Sequence, residues 1–200
     1  MPPKKAGKKP APKPEPEAAP PPPVDRTFER AREQFRDGNY GAALAIANQI
    51  LSKDPKNTEA LVLASGCHSL QGRYDRAVDV DRRAVDADPK NPQAWMTLAL
   101  DLGHVGELDE AEEAYRRAAD LDPKRAAAWY CLACIAARKG DADAALAHLE
   151  RATAERDEYR EEAKSQPEFG PLMDDPRFAK IVSPPADPDD PYAEWMRSGA

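Results

Sequence analysis

The 200-residue sequence has no apolar run long enough to cross a bilayer, and no apolar segment near its first residue of the kind a secretory signal needs, which predicts a cytoplasmic protein. Basic charge is not in excess. The formal net charge is −7, and because the first 23 residues carry five lysines against two glutamates, a local +3, the remainder stands at −10. An acidic body lacks the basic face on which a nucleic-acid binder depends, so strong nucleic-acid binding is not expected. Cysteine is scarce and odd in number, with only Cys67, Cys131 and Cys134, which excludes a disulfide framework and fits a reducing compartment. No glycine-rich loop follows a strand-like segment. The three histidines, His68, His104 and His148, are scattered, and none pairs with a nucleophile and an orienting group. The expectation is a protein that is not an enzyme and takes no cofactor or metal.

Proline is almost absent from the middle of the chain except at regular stations, and those stations reveal the organisation. Gly38, Gly72, Gly106 and Gly140 are 34 residues apart, as are Ala43, Ala77, Ala111 and Ala145. Pro55, Pro89 and Pro123, each preceded by aspartate, keep the same step, and Ala84, Ala118 and Ala152 keep it again. Such a period is the signature of a stacked repeat. Between the stations lie pairs of amphipathic stretches with apolar residues three and four apart, the period of a helix. Glycine ends the first helix of each pair, where a left-handed backbone is free of steric cost. Asp75 or Asp109 is expected to cap the second helix, which stops before Asp-Pro because the residue preceding proline is driven from the α region. Small residues at 31, 65, 99 and 133 face those at 43, 77, 111 and 145 and allow close antiparallel packing.

The pattern resembles the tetratricopeptide repeat, with an apolar residue near the start of each unit (Leu61, Trp95, Trp129), glycine at the turn, an apolar or aromatic residue two later (Tyr40, Tyr74, Leu108), alanine in the second helix and a terminal proline. The resemblance implies an all-α, right-handed superhelical solenoid of four helix-turn-helix repeats. The divisions expected are a disordered Lys/Pro/Ala-rich arm over 1–23, repeats over 24–57, 58–91, 92–125 and 126–164, a C-terminal capping helix within 165–183 and a disordered acidic tail over 184–200. Two departures stand out. Thr27 and Gln34 replace apolar residues in the first unit, as an exposed terminal repeat tolerates. Arg156-Asp157 replaces Asp-Pro in the fourth, whose second helix is expected to run on towards Lys164. Phe169, Leu172, Phe178 and Ile181 around Asp175-Pro176 read as the cap.

The family's groove positions, carried over unit by unit, fall on Phe28, Arg32 and Phe35 in the first unit and on Val62, Leu63, Gly66 and Leu70 in the second. They fall on Met96, Leu100 and His104 in the third, and on Tyr130, Cys131 and Cys134 in the fourth. This lining is apolar. The lysine, asparagine and arginine clamp with which some members hold acidic chaperone C-termini has Phe28, Arg32, Leu63, Gln93 and Thr97 in its places, so that clamp is absent. The groove suits an amphipathic or apolar segment of a protein or peptide partner, and the expected function is that of a scaffold or adaptor. Leu63 to Tyr74 also loosely resembles the middle repeat of type III secretion chaperones, which keeps open a holding chaperone for a secreted or membrane-bound client. A regulatory subunit of an enzyme and self-association stay open as well. The C-x-x-C spacing of Cys131 and Cys134 falls within a helix with no strand beside it, and reads as packing or groove residues. In the tail, Asp190-Pro191 can start a helical turn on which Tyr192, Trp195 and Met196 share a face, a possible docking motif for the chain's own groove or a second partner.

Overall fold

The computed structural model describes residues 26–183. The arm expected over 1–23 and the tail expected over 184–200, with Tyr192, Trp195 and Met196, lie outside the described residues. Four helical pairs follow one another, each of two antiparallel helices. The first helices are α1 (Thr27–Arg36), α3 (Thr58–Leu70), α5 (Pro92–Val105) and α7 (Ala126–Arg138), and the second are α2 (Tyr40–Lys53), α4 (Tyr74–Ala87), α6 (Leu108–Leu121) and α8 (Ala142–Glu155). There is no strand among the described residues.

The repeated residues do the same local work in every unit. Gly38, Gly72, Gly106 and Gly140 take φ of +78°, +71°, +90° and +77°, the left-handed region that a side chain disfavours. In the first two of the three Asp-Pro pairs the aspartate folds back over its proline: Asp54 Oδ1 accepts from the Lys56 N–H at 3.2 Å, and Asp88 Oδ1 from Lys90 at 3.1 Å, whereas Asp122 Oδ2 accepts from Arg125 Nε at 3.2 Å. Asn57 then caps α3 by accepting from Ala60 N–H at 3.0 Å, and Asn91 caps α5 by accepting from Gln93 at 2.9 Å and Ala94 at 3.3 Å. The caps expected at Asp75 and Asp109 are corrected. The glycine turn is so short that the next residue, Arg73 or Glu107, holds the cap position without a side-chain cap bond. Asp75 and Asp109 sit inside the first turn, where a carboxylate still meets the positive end of the helix dipole.

Packing follows from residue size. Ala31, Ser65, Ala99 and Ala133 on the first helices, and Ala43, Ala77, Ala111 and Ala145 on the second, are all fully buried, so the paired helices approach closely. Each second helix packs on the first helix of the next unit, and α3 also touches both α1 and α5, which makes the first helices the inner layer. Trp95 and Trp129 fasten successive units: each indole N–H donates to the carbonyl of the preceding loop proline, Pro89 at 2.8 Å and Pro123 at 2.9 Å.

The fourth unit departs from expectation. Its second helix does not run on towards Lys164. It stops at Glu155, Arg156 is extended (φ −148°, ψ 114°), and a separate helix, α9 (Glu158–Ser165), follows. Helix α8 has 14 residues, as do α2, α4 and α6, although no proline ends it. The proline is therefore not required to end the second helix at this length. A 3-10 turn (Pro167–Leu172) and α10 (Pro176–Val182) complete the end, with Asp175 capping α10 by accepting from Arg177 N–H at 2.8 Å. Phe169 and Phe178 are buried with ring centroids 5.8 Å apart, Leu172 is buried and Ile181 half-buried. Arg177 ties this cap to Asp143 of α8 at 2.7 Å.

Candidate protein-binding groove

The inner layer carries two cavities. The first, of about 540 Å³, is walled by Phe28, Arg32 and Phe35 from α1 and by Val62, Leu63 and Gly66 from α3, and it reaches Gln93 and Thr97 of α5. Gly66 lets the Phe35 ring lie close on α3: a Cβ there would stand 3.2 and 3.3 Å from the ring, which would have to move out by a few tenths of an ångström. Phe35 is held from behind by Tyr40, edge to face with centroids 5.5 Å apart. Arg32 pairs loosely with Glu29 at 3.8 Å on an exposed surface.

The second cavity, of about 450 Å³, lies at the other end, with Leu100 and His104 of α5 and Tyr130, Cys131 and Cys134 of α7 in its wall. Elements beyond the four pairs contribute too: Tyr159 and Glu162 come from α9, and Glu168 from the 3-10 turn. Tyr130 forms its floor rather than an open contact, being 5% exposed, stacked on Tyr159 at 4.5 Å and edge-on to Phe169 at 6.0 Å. His104 is exposed and stacks on Tyr74 of the preceding unit at 4.1 Å.

Eleven of the thirteen positions named from the sequence thus border one cavity or the other. Leu70 and Met96 border neither. Leu70 is 56% exposed at the end of α3, beyond the first cavity, and Met96 is half-buried against the core. The contributions of Tyr159, Glu162 and Glu168 had no signal in the repeat register, because they come from the segment that turns back after Arg156.

The chemistry of the thiols is that of packed side chains. Burial raises the pKa of all three, Cys67 to about 11 and Cys134 to about 12, the latter also under the charge of Glu168 and Glu162. Thiols so shifted are not the thiolates that attack or ligate at neutral pH. Among the described residues no group of three or more His, Cys, Asp and Glu side chains converges to hold a metal. His148 is taken up by stacking on Trp129 at 5.7 Å, with Arg151 over the same indole at 3.8 Å, and burial lowers its pKa. Burial, then Arg73 and Arg76, lowers that of His68.

One cluster was missed altogether. Asp81 of α4 and Asp101 of α5 are buried between the second and third units, beside Ser65 and Thr97. Ser65 donates to Asp101 Oδ2 at 3.5 Å, while both oxygens of Asp81 and Oδ1 of Asp101 have no donor. Burial first, then Asp101, pushes Asp81 up to about 8, so the pair keeps a proton at neutral pH. A signal existed: at the 34-residue step Asp81 is in register with Ala47, Tyr115 and Leu149, all buried.

Paired helices, left-handed glycine turns and an inner layer with a lined groove define a helix-turn-helix repeat solenoid. The chain belongs to the tetratricopeptide-repeat family, whose models match residues 34–100 and 96–160. No curated protein matches it. The fold is shared with solved structures of low identity. One is a crystal structure of MamA at 20% identity, TM-score 0.67, covering 76% of this chain and 90% of that one. Another is TTC0263, a thermophilic repeat protein of the same family from Thermus thermophilus, at 19% identity, TM-score 0.63, covering 78% and 84%. A third, the first such domain of Spaghetti (RPAP3) bound to the HSP90 peptide SRMEEVD, is 19% identical, TM-score 0.56, covering 57% and 90%. Proteins of this fold serve in general as non-catalytic scaffolds for protein or peptide partners. No helix among the described residues is long and apolar enough to cross a membrane.

Proposed function

We propose that the chain is an adaptor whose inner groove holds an apolar or amphipathic segment of a partner protein. The observation that carries this reading is the pair of apolar-walled cavities on the inner helices, with Leu100, 47% exposed, at the wall of the second. Large apolar side chains gathered on one concave face mark an interaction site. The solved neighbour with a chaperone peptide is a precedent for a bound peptide on this fold. The lining here differs in kind from a carboxylate receptor, since Phe28, Val62 and Leu63 wall the first cavity and Arg32 is its one lysine or arginine. Client-holding and enzyme-regulating versions of the same binding differ only in what the partner is.

The test is affinity purification with mass spectrometry from the native cell, comparing wild type with Leu100→Arg. Half-exposed, position 100 admits the arginine without unfolding the solenoid, as circular dichroism will check, while a partner's apolar side chain can no longer sit there. The expected outcome is a partner captured by wild type and lost from the variant. Partners that persist on a folded Leu100→Arg chain refute the groove as the site.

A further inference from the structure

The groove is apolar along its length but does not have the same polarity at its two ends. Among the polar groups of the second cavity two are carboxylates, which accept and do not donate. Glu162 and Glu168 both line it, and neither has an ion-pair partner among the described residues. This is not for want of cations nearby. In and just before the same short helix Arg156 pairs with Glu158 at 2.7 Å, Arg160 with Asp157 at 3.0 Å and Lys164 with Glu161 at 2.6 Å. Glu158 and Glu161 of α9 are thus paired, whereas Glu162 of α9 and Glu168 of the 3-10 turn, which line the cavity, are not.

A second observation is independent of the charges. The hydroxyl of Tyr130, whose side chain is buried at the cavity floor, has no hydrogen-bond partner, and neither has Oε2 of Glu168. Buried polar atoms are normally paired: the carboxylate oxygen can be satisfied only by a donor, and the phenol oxygen is open to one. The stacked rings of Tyr130 and Tyr159, 4.5 Å apart, add π-surface of the kind on which a flat cation rests. The electrostatics agree: after burial, the charges of Glu162 and Glu168 raise the pKa of the Tyr130 hydroxyl, and Glu162 does the same to Cys131 and Tyr159. Arg138 is the one arginine or lysine in the wall. It stands exposed at the end of α7, outside ion-pair distance of either carboxylate, and leaves the three charged side chains at a net −1.

We propose that the second cavity is the receptor for a basic side chain, a guanidinium or ammonium group, on the segment that occupies the groove. Its nitrogens would donate to Glu162, Glu168 and the Tyr130 hydroxyl, with its apolar stem along Leu100 and the rings. This deepens the adaptor reading and rests on it for the origin of the cation: the partner segment carries an arginine or lysine among its apolar anchors, and the opposite cavity, with Arg32 in its wall, does not compete for that charge.

The test uses the full chain, isotope-labelled, titrated in the NMR tube with N-acetyl-arginine amide and, in parallel, with its uncharged analogue N-acetyl-citrulline amide. The arginine probe is expected to shift the amides of Tyr130, Cys134, Glu162 and Glu168 with millimolar affinity, about tenfold more tightly than citrulline. The Glu162→Gln/Glu168→Gln double variant should lose the preference, while Glu161→Gln, which removes an outward, already paired acid, should keep it. Equal shifts from both probes, a preference surviving in the double variant, or no shift from either at tens of millimolar each overturns the proposal. The outcome is separable from that of the adaptor test. A charge preference in the cavity together with partners that persist on Leu100→Arg refutes the adaptor reading alone, whereas a lost partner without a charge preference refutes only the cation receptor.

Discussion

Two junctions of this solenoid share a register and differ in chemistry. Between the second and third units Asp81 of α4 meets Asp101 and Thr97 of α5. Between the third and fourth, one step of 34 on, the same places hold Tyr115 of α6, with Ile135 and Cys131 of α7. Tyr115 is 4% exposed and sits beside the Cys131 thiol in an apolar wall. Asp81 is fully buried too, with no cation beside it, and the hydroxyls of Ser65 and Thr97, which favour its charged form, are outweighed by burial and Asp101. The backbone geometry of a repeat therefore does not dictate the stabilising interaction. One junction is held by aromatic packing that proton concentration does not touch, and the other depends on a proton retained by a carboxyl pair.

The comparison breaks most visibly if the aromatic junction is emptied. Tyr115→Ala should cost about 3 to 5 kcal/mol in urea unfolding through the cavity it leaves, with little dependence on pH between 5 and 8. The acidic junction should behave the other way. An unfolded Asp81 releases its proton near pH 3.8 and the folded one near pH 8, so its contribution is complete below the lower value and is lost as pH rises to the upper. Asp81→Asn should remove that loss, and its advantage over wild type should grow by on the order of a few kcal/mol across the window. A constant difference from pH 4 to pH 8 would show that Asp81 is not protonated in the fold. Asp101→Asn sharpens the point: it leaves Asp81 buried, so stability should still fall with pH but less steeply, and the double variant should be as pH-independent as Asp81→Asn, with a non-additivity of about 1 kcal/mol or more in a stability cycle. The smallest effect belongs to the surface. Arg82 of α4 bonds Glu110 of α6 at 2.7 Å with both side chains more than half exposed, and Arg82→Gln should change stability by less than about 0.5 kcal/mol.

What the sequence made legible was whatever the backbone itself demands. Glycine at a left-handed turn, Asp-Pro at a helix end and a small residue at a close crossing each answer a narrow local demand, so they recur at the 34-residue step and are readable from spacing alone. Eleven of the thirteen positions that the family resemblance assigns to the groove border a cavity, because the repeat sets the same helix face inward in each unit. Asp81 went unread, since a helix reading Tyr-Asp-Arg-Ala-Val-Asp-Val-Asp-Arg-Arg carries acids on several sides; its register with Ala47, Tyr115 and Leu149 marks the inward one, but only the facing α5 shows that a second acid meets it. The role of Glu162 and Glu168 was equally hidden, because it follows from the angle at which α9 leaves the extended Arg156, and no short-range pattern encodes that angle. Met96 was misplaced for a milder reason. Its neighbour Thr97 borders the first cavity, and one residue along a helix is enough to turn a side chain to the core.

Among the described residues a phenylalanine-rich closure stands at the C-terminal end of the stack. Phe169 and Phe178 seal the fourth unit, whereas Ala31 is the one buried residue of α1. A stack whose units contact only their neighbours opens from its least protected end. Hydrogen exchange in the native state should then run as a graded zipper, fastest in α1 and slowest in α7, with the acidic junction as the step at which the two halves of the molecule come apart in turn.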